Sequence, residues 1–406
     1  MRGGIATQGR PSVRDVAGRA APRLAAGDLG LLPVIVGLGV IAVAFQLLNS
    51  NFLTPRNLSY LSLQIGSLAI LTIGVSLVLL VGEIDLSVGS VSGLCGAIMA
   101  VLISSHGWPG WAAMLACLAA GAVVGLVQGC WVVVIGVPSF IVTLTGLLVW
   151  QGLQLIVLGN QAEAAVNDRF IDDISATYLP SGAGIGIAIG VCLAAGGYLV
   201  ISRRLIARSG YENAPLVSDW TRWALTAIVT LGSTLVLNQF LGVPYLLLGV
   251  VLITTFFGVV TSQTPLGRHI YAVGGNAEAA RRAGVRVPQL KLMLFVTVAV
   301  LAAVTGIIDA SRGLVVTVNS GGGNITLEAI AAAVIGGTSL FGGRGRIPGA
   351  LLGALLIGAV ANGLDLLGQS AAAQTIATGL ILLAAVSVDV LSRRRRTRRS
   401  LASFAS

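Results

Sequence analysis

Long apolar blocks separated by short polar breaks run through almost the whole chain. A helix needs about 20 apolar residues to cross a hydrocarbon core roughly 30 Å thick. The blocks predict spans at 30–48, 60–81, 88–104, 111–134, 139–158, 183–201, 222–241, 243–262, 292–309, 326–341, 347–367 and 371–391. That makes an all-α polytopic membrane protein of about twelve transmembrane helices, with ten as the lower bound. The range reflects the short pairs around Glu83 and Gly342, and Val243-Pro244 can also be a kink within broken helices.

Composition agrees with the pattern. The chain has 406 residues, 55% hydrophobic and 10% charged, whereas soluble domains average about a quarter charged. Its 54 glycines suit close helix contacts in lipid, where small residues let backbones approach. Cys95, Cys117, Cys130 and Cys192 lie inside apolar runs with no CxxC spacing, and read as small buried side chains.

Charge orients the spans. With the N-terminus inside, all but Arg56, Arg169 and Arg312 of the 25 basic residues fall on the cytoplasmic side. Both termini are therefore expected in the cytoplasm. The domain reading is a basic tail at 1–28, a permease body at 29–391 and a basic tail at 392–406. Residues 203–222 and 263–291 are cytoplasmic loops, and 159–183 is an acidic external loop carrying Glu163, Asp168, Asp172 and Asp173. The leading segment reads as a retained tail and not as a signal peptide. The Arg393–Arg396 run with Arg398 and Arg399 reads as an orientation anchor beside anionic membrane lipid, not as a nucleic-acid site.

Several chemistries are missing. A Walker A loop needs Gly-Lys-Ser/Thr, and the only lysine, Lys291, follows Leu290. His106 and His269 fall on opposite sides of the expected topology, with no zinc-binding spacing. The expectation is no catalytic residue, no metal site and no cofactor held by this chain.

What remains is one charged element and two polar breaks. In residues 273–284, Asn276 is a good N-cap, Glu278 sits in the first turn, Arg281 and Arg282 in the last, and Gly284 ends the helix. Its alanines give little apolar surface to bury, so the element is expected to touch a soluble partner. Gly82-Glu83-Ile84-Asp85-Leu86-Ser87 reads either as a break lining the solute path or as an ordinary turn. The glycine- and arginine-rich stretch 336–349 is the second break. Gln64, Gln151, Gln154, Asn238, Gln239, Glu328, Asn362 and Asp365 are scattered through the spans, where an amide is either a helix–helix hydrogen bond or a ligand group. Trp150 beside Gln151 is either an interfacial anchor or a sugar-stacking face.

Four segments together resemble one family: 82–91, 137–152, 274–285 and 329–358. They look like the permease subunits of ATP-binding-cassette importers for monosaccharides, of the ribose and xylose kind, across roughly residues 52–391. The extra length is more similar to the xylose type. The resemblance implies that Gly274, Gly275, Asn276, Glu278, Arg281, Arg282 and Gly284 form a coupling segment that docks on a separate ATP-binding subunit. ATP and Mg would be used by that partner. It further implies a homodimer, an extracytoplasmic sugar-binding protein, and residence in the bacterial cytoplasmic (inner) membrane. The candidates for the translocation path are Glu83, Asp85, Ser87, Gln151, Gln154, Glu328 and Asn362. Glu83 departs from the commoner glycine of the family pattern. The alternatives are an ion-coupled secondary transporter, whose class usually shows homologous halves, and an importer permease for a non-sugar solute such as a nucleoside or autoinducer.

Overall fold

The computed structural model describes residues 32–208 and 216–404. The expected tail at 1–28 and part of the 203–222 loop lie outside the described residues, as do the side chains of Arg393–Arg399. The chain is a helical bundle: α1 (Leu32–Leu48), α2 (Pro55–Leu80), α3 (Val88–Ser104), α4 (Gly110–Cys130), α5 (Ser139–Leu158), α6 (Arg169–Ala176), α7 (Ser181–Arg208) and α8 (Leu216–Leu237). These are followed by α9 (Tyr245–Gln263), α10 (Pro265–Gly275), α11 (Ala277–Arg282), α12 (Val287–Gly313), α13 (Ile325–Ile335), α14 (Ile347–Leu366) and α15 (Ala371–Phe404).

Among the described residues, seven helices are long and apolar enough to cross a membrane: α2, α4 with its π-helical extension to Ile135, α5, α7 through Ile206, α9, α12 and α14. The apolar parts of α1, α3, α13 and α15 are shorter. Several expected bounds change, two of them instructively. The block at 326–341 is an 11-residue helix, α13, and then a turn. Such a helix rises roughly 16 Å, about half a hydrocarbon core. The glycines that made the block look continuously apolar are those that end the helix. Conversely, 292–309 grows into the 27-residue α12, whose first turn takes in Pro288 and polar residues that hydropathy left out.

The bundle is built around α2, which is buried along most of its length and packs on α12, α13 and α14. Pro55 in the first turn and Thr54, whose hydroxyl accepts from the Asn57 amide, start it. The α4–α12 contact depends on Gly121, Gly125 and Gly129, spaced one per helical turn. A Cβ on Gly125 would come within 2.6 Å of the Phe295 carbonyl oxygen, and one on Gly121 within 2.8 Å of that of Ala299. Only glycine permits backbones this close in a lipid-embedded pair.

One end of the bundle carries Arg268, Arg281, Arg282, Arg344 and Arg346, and is called the basic end. At the other end the acidic segment is ordered. Strand β1 (Glu163–Ala165) pairs antiparallel with β2 (Val315–Thr317), with Glu163 opposite Thr317. Asp168 caps α6 and accepts from the Gly110 amide at 2.9 Å, while Ile171 is fully buried and Ser175 bonds Ser311 at 2.6 Å. The loop is thus pinned to α4 and α12.

Candidate functional site

The charged element forms as its sequence dictates. Asn276 accepts from the Ala279 amide at 2.9 Å, and Gly284 takes φ +90° immediately after the helix. Glu278 bridges to Arg281 at 2.9 Å and to Arg282 at 3.1 Å. These charges are exposed, and the two arginines, bonding first through Arg281, hold the Glu278 carboxyl below its ordinary range. Ala280 turns into the protein and is buried, and Ala277 packs partly against the core. Sequence reading missed the preceding helix, α10, which makes the expected loop a helix–turn–helix.

The turn between α10 and α11 is clamped on both sides. A Cβ on Gly274 would stand 1.8 Å from the Leu80 carbonyl oxygen and 2.4 Å from the Gly343 nitrogen, whereas one on Gly275 would meet nothing within 4 Å. The Gly343 amide donates to the Leu80 carbonyl at 2.9 Å, and the Tyr271 hydroxyl donates to the Gly345 carbonyl at 2.8 Å. Thus the end of α2, the α10–α11 turn and the 342–345 loop meet backbone to backbone. Lys291, in the second turn of α12, pairs with Glu83 just beyond α2, with both side chains largely buried. The charged helix is therefore joined at its base to both polar breaks.

The first break is not an ordinary turn. Residues 83–87 form no helix, and α5 holds the backbone of Ile84: Ser139 Oγ accepts from the Ile84 amide at 3.3 Å, and Thr143 Oγ1 donates to the Ile84 carbonyl at 3.2 Å. The segment climbs along α5 from the basic end. Ile84 lies level with Ser139, and Gly93 sits against Gln154. Fifteen helical residues separate those α5 levels, roughly 22 Å. Asp85 Oδ1 accepts from the Ser87 amide at 2.8 Å and from the Ser87 hydroxyl at 2.7 Å. Ser87 in turn accepts from Gln128 Nε2 at 2.7 Å. Ser87 does not cap α3 with its side chain; this local turn takes its hydroxyl instead.

The chain after β2 dips back toward the same level. Gln154 Nε2 donates to the Thr317 and Ser320 carbonyls, each at 2.9 Å, and Thr326 Oγ1 accepts from the Gly89 amide at 3.1 Å. The beginnings of α3 and α13 therefore meet inside the bundle. Broken helices meeting at depth are a recurrent transporter device, because their free N–H groups can face a solute.

Of the path candidates, Glu83, Asp85 and Ser87 share the first break, and Gln154 ties the dipping chain to α5. Asn362 lies elsewhere, in a reciprocal pair with Asn57 at 2.8 and 3.1 Å between α14 and α2. Gln151 is exposed on α5, and Glu328 is half-buried in the first turn of α13. Neither side chain makes a hydrogen bond among the described residues. Sequence reading also missed Gln128, Lys291 and the Asp309–Arg312 pair on α12, 3.9 Å apart. The i,i+3 spacing of that last pair on an apolar helix was the available signal.

The comparisons with known proteins agree with this architecture. Residues 57–386 match the model of a family described as the branched-chain amino acid transport system permease component. The xylose transport system permease protein of Haemophilus influenzae is 36% identical over 92% of this chain and 99% of its own length. That of Escherichia coli K12 is 38% identical over 85% of this chain and 87% of its own. The ribose import permease protein of Escherichia coli K12 is 32% identical over 87% of this chain and 92% of its own. No solved structure matches. These relatives are transport subunits and not enzymes. The chain belongs to this family of transport-system permease components, as a xylose/ribose-type permease and a multi-pass inner-membrane protein.

Proposed function

We propose that the chain is the membrane-spanning subunit of an ATP-binding-cassette sugar importer, with a pentose such as xylose as cargo. A separate ATP-binding subunit and a solute-binding protein complete the system, and the permease works as a homodimer. The observation that carries this reading is the exposed, capped α11 helix fixed by Gly274 to the ends of both broken segments. The relatives named as xylose and ribose permeases support the choice of cargo.

In this account the basic end faces the cytoplasm, following the distribution of arginines. Twelve helices cross or half-cross the membrane, with α3 and α13 as the broken pair. ATP-driven closure of the partner pushes α11, and the backbone contacts at Leu80 and Gly343 pass that displacement to the breaks. A packed helix junction responds by switching between discrete arrangements rather than by bending smoothly. Asp85, Ser87 and Gln154 hold the breaks in shape, whereas Glu83 ties the first break to α12. Gln151 and Glu328 keep polar groups available for sugar hydroxyls. Asn362 braces α14 against α2. Magnesium and ATP stay in the partner.

Reversing both charges in Arg281→Glu/Arg282→Glu should abolish sugar uptake in cells while membrane insertion stays at the wild-type level. Uptake at the normal rate by that double variant contradicts the docking role of α11.

A further inference from the structure

A cleft of about 860 Å³ opens on the side of the bundle, between α9, the start of α10 and the start of α14. Its walls are Val251, Val259, Ile347, Pro348 and Leu351, and Arg268 and Arg346 stand at its basic-end mouth. Val251 to Ser262 covers roughly 16 Å of helix axis. The cleft therefore reaches from the basic end well into the apolar belt.

Its polar groups are nearly all committed. Thr254 and Thr255 donate to the Val250 and Val251 carbonyls at 2.7 Å, and Ser262 donates to Gly258 at 2.6 Å. Thr261 donates to the Phe257 carbonyl at 2.7 Å. What these side chains turn outward is chiefly carbon. A sugar, which needs many free hydrogen-bond partners, has little to hold here. The mouth differs, since Arg268 and Arg346 are exposed and form no ion pair among the described residues. The first turns of α10 and α14 both border it, and helix N-termini favour negative charge.

We propose that this cleft binds one anionic phospholipid, its phosphate between Arg268 and Arg346 and an acyl chain along Val251, Val259 and Leu351. Basic pockets between membrane helices at the interface are suited to acidic headgroups. The floor of the site includes Tyr271, whose hydroxyl bonds Gly345 in the glycine loop. The lipid thus lies against the contact that joins α10 to the second break, and its binding favours the arrangement in which that contact is made.

The test is native mass spectrometry of the full-length purified protein titrated with phosphatidylglycerol or phosphatidylcholine. One phosphatidylglycerol per chain should be retained, in preference to phosphatidylcholine. R268Q/R346Q should weaken retention about tenfold or more, and Leu351→Trp should weaken it by filling the tail groove. Arg286→Gln, exposed at the same end, should leave retention unchanged, and the melting temperature of each variant checks its fold. Unchanged retention by folded R268Q/R346Q overturns the assignment. So does inorganic phosphate at millimolar concentration displacing the lipid completely, which would mark a free-anion site. A cross-link from Val251→Cys to the same residue in a second copy would instead make the cleft an interface between copies.

Discussion

At the scale of single residues, Gly274 and Gly275 make a sharp contrast. They are neighbours of one type, yet a methyl group on the first would enter the space of the Leu80 carbonyl and one on the second would enter open space. Gly274→Ala should impair sugar-dependent stimulation of the partner ATPase at least tenfold, whereas Gly275→Ala should change it less than twofold. ATPase assays on the copurified complex measure both. Glu278 gives a second prediction. Its carboxyl is lowered by Arg281 and Arg282, so its contribution to α11 is complete above the unfolded carboxyl's range and is lost as pH falls through the lowered folded value. Between about pH 6 and 8, α11 docking should be insensitive to pH, as measured by binding of the partner subunit. The N-cap at Asn276 and the stop at Gly284 were legible in sequence because capping is local. The pairing of Glu83 with Lys291 was not, since 208 residues separate the two partners.

At the scale of elements, the Glu83–Lys291 pair tests whether the first break and the base of α12 move together. Removing one partner leaves a largely buried charge unpaired, a loss of up to about 3 kcal/mol. Glu83→Gln and Lys291→Met should each lower the melting temperature and slow uptake. The reversed pair Glu83→Lys/Lys291→Glu should recover most of both, and a reversed pair no better than either single variant would show that the contact transmits nothing. Helix existence was readable from hydropathy, because a lipid-facing segment must be apolar for most of its length. The ends were harder. Hydropathy counts the glycines of 336–343 as neutral to apolar, so it ran α13 onward through a turn, while it cut α12 short at Pro288, Gln289 and Lys291. The glycine spacing 121, 125, 129 was in plain view and marks the α4–α12 contact. Which helix receives such a stripe is a three-dimensional fact that the sequence of one segment does not contain.

At the scale of the whole molecule, the proposal that a partner supplies ATP hydrolysis rests on the exposed charged helix α11 and on relatives named as transport-system permeases. The chain supplies broken helices and an exposed charged helix that the proposed function uses as a lever, and the relatives named for xylose and ribose transport support a sugar permease. The candidate path residues were the least legible part. Polar side chains in a membrane helix serve packing and passage alike, and sequence alone did not show that Asn362 pairs with Asn57 while the Gln151 side chain has no partner among the described residues. The central claim is that solute movement here is driven by a partner's ATP hydrolysis through α11. Its most direct measurement is xylose uptake into vesicles holding the permease, its ATP-binding subunit and its binding protein, with either internal ATP or an imposed proton gradient. Uptake with ATP alone, lost in the Gly274→Ala protein, is the predicted result; uptake on the proton gradient without ATP would contradict the account.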